Sequence, residues 1–315
     1  MRSLRDMETI QIEITNACMN SCSNCTRLVG HSSFYFMSMS QFTQAVDSLL
    51  EFPHMVGMMG GEPLLHPQFP EFCDYLHSKI PKERCGLWSC FPEGKEHYRD
   101  VIVRTFGHVF LNDHTRDDVL HAPILVSAEE ICGNDYASMW YLIDHCWVQN
   151  MWSASINPNG GFFCEVAAAL SLLFDIKVGW EIKPNWWEKI PKDFKEQMES
   201  LCVLCGCAMP LKKRTSVERI DDISPKIYKV IKNTSSKIKR GLYEIHNLKC
   251  YNDMRQPATY KDARYRAIIA ERYGMFLVVN EQGYQTPYLK RSWHVNKNIQ
   301  EGQYDGPSQI GQSAV

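Results

Sequence analysis

Three cysteines spaced Cys18-x-x-x-Cys22-x-x-Cys25 stand in a stretch that Asn16, Asn20, Ser21, Ser23 and Asn24 keep polar. Thiolates this close can wrap one metal object. A structural zinc site usually takes four ligands, commonly as two separated pairs, so zinc here needs a distant fourth. Three ligands from one loop suit a cubane iron–sulfur cluster that leaves one iron without a protein ligand. An open coordination position is what a metal centre needs to bind and activate a substrate. Gly60-Gly61-Glu62-Pro63 forms a second feature, at the end of the apolar run Met55–Met59. Glycines at a strand end let the backbone approach a ligand closely. A second sulfur group comprises Cys146, Cys164 and Cys202-x-x-Cys205-Gly206-Cys207. Two cysteines bracketing a hairpin and a C-x-x-C pair returning to it can supply four thiolates, to zinc or to an iron–sulfur cluster.

The elements that must position these groups read as strands alternating with helices. Thr9–Thr15 alternates apolar and polar residues, a half-buried strand pattern, and Met39–Phe52 has helical spacing with Ser38 or Ser40 as cap. Met55–Met59 and Cys85–Cys90 predict strands, followed by helices at Phe69–Ser78 and near Lys95–Arg104. His108–Leu111 and Ile124–Ser127 complete the predicted strand set before a helix at Tyr136–His145. This order implies an α/β fold with a largely parallel sheet, curled into a full or partial barrel with ligands at the strand C-terminal ends. After Cys146 the pattern changes. Trp152–Ile156, the turn Asn157-Pro158-Asn159-Gly160-Gly161 and Phe162–Cys164 spell a β-hairpin. Helices are expected at Glu165–Phe174 and Asp193–Leu201, then a helix at Ala267–Tyr273, a strand at Met275–Asn280 and a loose tail from about Glu301.

Composition narrows the function classes. A net charge of −2 offers no surplus to attract nucleic acid or an anionic membrane. The basic stretches Lys212–Arg214 and Lys232–Arg240 read as solvated faces or loops. No run reaches the ~18 apolar residues of a membrane span, and Met1-Arg2-Ser3-Leu4 opens no signal peptide. A cytoplasmic chain is expected, and thirteen cysteines in a reducing compartment favour metal binding or redox work over disulfides. Cys73, Cys85, Cys90 and Cys132 stand singly in apolar or helical surroundings and are expected in the core.

The three-cysteine loop after the first strand and the glycine pair after the second resemble the radical S-adenosylmethionine (SAM) superfamily over roughly residues 8–130. The resemblance implies a partial (β/α)6-type barrel in which Cys18, Cys22 and Cys25 ligate three irons of a [4Fe–4S] cluster. SAM chelates the fourth iron, and Gly60, Gly61, Glu62 and Pro63 hold the methionyl ammonium, with Glu62 adding charge complementarity. One electron, from a flavodoxin or ferredoxin-type donor, then cleaves SAM to methionine and a 5′-deoxyadenosyl radical. The second cysteine group resembles the twitch (short SPASM-like) extension, which holds an auxiliary [4Fe–4S] cluster. Cys146, Gly160 and Cys164 match its hairpin, and Cys202 and Cys205 take the downstream places, with Cys207 able to displace Cys205. The implied domains are residues 1–140, 141–215 and 216–315: barrel, twitch-like region and an extension completing the substrate site.

The Cys164-Glu-Val-Ala-Ala-Ala stretch, Trp186-Trp187 and the Cys205-Gly-Cys-Ala-Met-Pro-Leu run resemble twitch-containing members of sugar and aminoglycoside metabolism, such as neomycin C epimerase. A carbohydrate-like small-molecule substrate is implied, and epimerisation with Cys250 as thiol hydrogen donor; a buried small side chain is the plainer reading of Cys250. Radical dehydrogenation, dehydration or decarboxylation of a related polyol or amino sugar, and peptide modification, stay open. So does a non-enzymatic metal-binding scaffold, although a scaffold has no need of the Gly60–Pro63 motif. Asp113, His114, Glu129 and Glu130 near strand ends are candidate substrate contacts, with solvated loop residues as the plainer reading.

Overall fold

The computed structural model describes residues 1–112, 114, 116–248, 279–280 and 283–284. Cys250, Asp113 and the expected helix at Ala267–Tyr273 lie outside the described residues.

A six-stranded sheet organises the chain, and its first four strands follow the expected order: β1 (Thr9–Thr15), β2 (Met55–Gly60), β3 (Cys85–Ser89) and β4 (His108–Leu111). They run parallel, joined through α1 (Met39–Ser48), α2 (Phe69–Lys79) and α3 (Arg99–Thr105). Ser38 caps α1 in a reciprocal box with Gln41, satisfying orphan amides at the helix start, a device whose loss costs about 1 kcal/mol. Phe42 of α1 stacks on Phe72 of α2 at 4.1 Å between centroids, closing the helical layer over the sheet.

The sheet order is β4-β3-β2-β1-β6-β7, so β1 is an interior strand. It pairs with β2 on one edge and parallel with β6 (Ala154–Asn157) on the other. All seven of its residues are buried rather than alternate ones, Ile10, Ile12 and Ile14 in the apolar core and Thr9, Gln11 and Glu13 on the opposite, enclosed face. Strand β7 (Gly160–Phe162) returns antiparallel on β6, forming the expected hairpin, which extends the same sheet. The result is a mixed α/β fold with a mostly parallel sheet, as the alternating pattern required.

Ile124–Ser127 is not a strand. Its apolar side chains are buried, but its carbonyls leave the sheet and accept from distant amides: Gly206 N–H to Ile124 O at 2.9 Å and Ser224 N–H to Leu125 O at 2.8 Å. Buried backbone must be paired somewhere, and here the later chain does the pairing. Around it lie β5 (Leu120–His121), α4 (Ala128–Cys132), α5 (Tyr136–Asp144) and α6 (Trp147–Met151). After β7 come α7 (Glu165–Leu173), α8 (Lys195–Leu201), β8 (Arg214–Thr215), β9 (Asp221–Ile223), α9 (Pro225–Ile231), α10 (Ser236–Lys239) and β10 (Tyr243–Ile245). Two short pairs, β5 with β8 and β9 with β10, dock this later chain. Of the strand expected at Met275–Asn280, Val279–Asn280 is a strand, and the rest of it and the tail from Glu301 lie outside the described residues. Among the described residues, no helix is long and apolar enough to cross a membrane.

Candidate functional site

The three-cysteine loop leaves the C-terminal end of β1 and meets the end of β2 through main chain alone. Gly61 N–H donates to Thr15 O and Glu62 N–H to Ala17 O, both at 2.8 Å. A Cβ on Gly60 would lie 2.1 Å from Thr15 O, and one on Gly61 would lie 2.4 Å from Ala17 O. Only glycine permits that approach, so the Gly-Gly pair seats β2 against the root of the loop. Beyond it, Cys18, Cys22 and Cys25 are close enough to influence one another. Burial pushes the Cys18 thiol up to about 12, with Cys25 adding to the rise. Cys22 is likewise raised, first by burial and then by Cys25 and Cys18. Thiols held this far above neutrality ionise readily only beside a cation, which is the condition a metal or cluster supplies.

Glu62 is wholly buried, and its carboxylate faces the neighbouring strand end. Oε1 accepts from Leu64 N–H at 3.0 Å and Ser89 Oγ–H at 2.7 Å, and Oε2 accepts from Cys90 N–H at 2.8 Å. Its observed work is to pin the end of β2 to the end of β3. Cys90, expected in the core, is only partly buried and belongs to this site: its thiol lies 3.9 Å from Met19 Sδ and near Glu62 and Cys18. The strand ends just before it, so its side chain escapes the apolar layer that Cys85 keeps. Cys73, Cys85 and Cys132 are fully buried, as expected.

Cys146, Cys164, Cys202, Cys205 and Cys207 line one cavity of about 390 Å³, its open mouth included, with Phe163, Leu170 and Leu201 among its apolar walls. Cys146 precedes α6, Cys164 precedes α7, and the other three follow α8. Burial pushes Cys146 up to about 12, and Cys164 and Cys202 well above the usual thiol range. Cys205 is the exception: the Cys207 thiol donates to it, lowering Cys205 and raising Cys207. An all-sulfur donor set in an apolar cavity fits soft-metal or iron–sulfur chemistry and not magnesium or calcium. Among the described residues, no three His, Cys, Asp or Glu side chains are gathered tightly enough to hold a metal ion as they stand.

A buried ion cluster links the two sulfur sites. Arg27, two residues past Cys25, reaches Glu13 of β1 at 3.1 Å and Glu165, next to Cys164, at 2.7 Å. Burial outweighs the single guanidinium and holds both carboxyls above their usual range. Nothing in the local spacing of Arg27 signals this role, although a glutamate in the middle of an apolar strand marks a position that needs a partner.

Thr9, Gln11 and Glu13 share one face of β1, and the ladder sets Gln11 level with Gly57 of β2 and Ser155 of β6. Thr9 Oγ1, Gln11 Oε1, Glu13 Oε1 and Ser155 Oγ are buried there without a hydrogen-bond partner among the described residues. Buried polar atoms are rarely left unpaired, and such a row is a place for water or a polar ligand.

The other expected contacts are spent structurally. Glu129 pairs with Lys226, while Glu130 accepts from Lys226 N–H at 2.7 Å and from Ser224, tying α4 to α9. His114 stacks edge-on against His121 at 5.0 Å. Trp186 and Trp187 are buried and donate to Ser48 Oγ and Ser48 O at 3.2 and 3.1 Å, so this pair packs the later chain on α1.

No protein-family profile matches the chain, and no curated protein sequence does. Among solved structures, the chain is similar to BtrN in complex with AdoMet and 2-DOIA, at TM-score 0.40 and 14% identity over 63% of this chain and 92% of that one. It is also similar to selenomethionine BtrN in an open conformation, at TM-score 0.38 and 14% identity over 64% and 91% of the two chains.

Proposed function

We propose that the chain is a radical SAM enzyme acting on a small carbohydrate-like molecule. The observation that carries this reading is the pair of hydrogen bonds from the Gly61 and Glu62 amides to the Thr15 and Ala17 carbonyls. They set a side-chain-free stretch of backbone beside a loop bearing three thiols, the arrangement a small zwitterionic cofactor needs to reach a cluster. Cys18, Cys22 and Cys25 would hold a [4Fe–4S] cluster, and the main chain of Gly60–Pro63 would receive the methionyl ammonium. Glu62, which fixes the ends of β2 and β3, would add charge complementarity there. Cys146, Cys164, Cys202 and Cys205, with Cys207 as the alternative fourth ligand, would hold an auxiliary cluster. With SAM and a cluster held by these residues, the site would have radical hydrogen-abstraction chemistry available to it. The unpartnered polar atoms of Gln11, Glu13 and Ser155 would meet substrate hydroxyls or amines, which favours a polyol or amino sugar. A flavodoxin or ferredoxin-type protein is the expected electron donor, in the cytoplasm.

Within this class, epimerisation is the leading reaction, with Cys250 returning hydrogen to the face opposite abstraction. The reconstituted enzyme is expected to release 5′-deoxyadenosine from SAM and reductant, and a protein that releases none is a scaffold. In deuterium oxide the product should gain one deuterium at the inverted carbon. Cys250→Ala should lose turnover yet still cleave SAM, and a product without solvent deuterium removes epimerisation.

A further inference from the structure

Behind the three-cysteine loop, the later chain builds a buried charged clamp. Lys237 of α10 has no solvent exposure, and its ammonium donates to Cys22 O at 2.9 Å and pairs with Asp221 at 2.7 Å. The same carboxylate meets His31 Nε2 at 2.5 Å, and its other oxygen accepts from Asn24 N–H. Ser235 Oγ lies 2.8 Å from His31 Nδ1. Ser235, His31 and Asp221 are all closed to solvent, so the chain of contacts is no hydrolytic triad. Gly30, at φ +86°, makes room for it: a Cβ there would lie 2.7 Å from Lys237 Cγ. Ser236 N–H completes the dock by donating to Gly30 O at 2.8 Å.

Burying an ammonium is costly unless its partners are well made. A methionine would fill the same length without that cost, so packing alone does not account for lysine. The charge sits against the main chain of Cys22, in a low-dielectric region where charges act strongly. Iron–sulfur potentials respond to net charge, hydrogen bonding and exposure near the cluster.

We propose that Lys237 is a positioning residue for the three-cysteine loop, fixing Cys22 through its carbonyl and making a cluster bound there easier to reduce by one electron from its flavodoxin- or ferredoxin-type donor. The second half of this inference rests on the radical SAM reading above, and the first half does not.

The test pairs two measurements on wild type and Lys237→Met. Hydrogen exchange of the apoprotein should show amides of residues 18–27 exchanging at least about tenfold faster, with β1–β3 amides unchanged. In the cluster-loaded protein, a potentiometric titration followed by electron paramagnetic resonance should show the reduction equilibrium shifted about tenfold toward the oxidised form, about 59 mV. The double variant Lys237→Met/Asp221→Asn removes both charges and so restores the net charge of the clamp, and it should regain part of the potential but not the loop protection. It also carries the test if the single variant fails to fold. Unchanged loop exchange overturns the clamp, and an unchanged potential in the loaded variant overturns the electrostatic role. A wild type that takes up no cluster sinks the radical SAM reading and the potential claim with it, and loop exchange alone then decides the clamp.

Discussion

Arg27 Nη2 lies 2.7 Å from Glu165 Oε1, joining the segment just past Cys25 to the residue beside Cys164. With Glu13 at 3.1 Å on the other guanidinium nitrogen, one buried arginine ties the first cysteine loop, the central strand and the start of α7 together. The two sulfur sites are therefore set relative to each other by a charge cluster, not by a flexible join.

Breaking that cluster on one side should be severe. Removing one partner of a buried ion pair typically costs about 3–5 kcal/mol, because the other charge stays buried and unpaired. Arg27→Met is expected to lose stability on that scale in urea unfolding. Arg27→Met/Glu13→Gln/Glu165→Gln should lose clearly less, since no unpaired charge remains.

Gly61→Ala places a methyl 2.4 Å from Ala17 O. Overpacking against backbone costs about 1–3 kcal/mol, and the loop must shift away from β2 to relieve it. Cleavage of SAM should fall at least about tenfold, with cluster content less affected. A variant that cleaves SAM at the wild-type rate would show that the close approach is not needed.

Gln11 Oε1 is buried without a partner among the described residues. Leaving such a group unsatisfied costs about 1–3 kcal/mol. Gln11→Met should therefore stabilise the ligand-free protein against denaturant while raising KM for substrate. A stabilised variant with unchanged KM would assign the row to water alone.

His121 is fully buried, and burial, followed by repulsion from His114, lowers its pKa to about 3. The unfolded value is higher, about 6.5, so below it the unfolded chain takes up a proton that the folded chain refuses. Stability is fully present above about pH 6.5 and is lost as pH falls toward 3. Between pH 7 and pH 5 this one group should remove about 2 kcal/mol. His121→Asn, measured by denaturant unfolding at both values, should flatten that difference.

The parallel strands and their helices were legible because period and turn chemistry are local. Met55–Met59 and the Asn157–Gly161 turn announce themselves without reference to the rest of the chain. What was not legible depends on partners far away in sequence. Ile124–Ser127 has the apolar content of a strand, yet its carbonyls are taken by Gly206 and Ser224. Cys90 looks like a core thiol until β3 is seen to end at Ser89. The clustering of Cys146 and Cys164 with Cys202, Cys205 and Cys207 was anticipated from spacing, whereas Lys237 and Asp221 sit about two hundred residues from the loop they brace. No spacing rule reaches that distance.

Anaerobic iron and sulfide quantification of wild type against the Cys18→Ala/Cys22→Ala/Cys25→Ala variant addresses the central claim most directly. The account predicts that the variant loses about four irons and about four sulfides, whatever the second site retains. A wild-type protein carrying zinc at this loop, or a variant with undiminished iron, would contradict it.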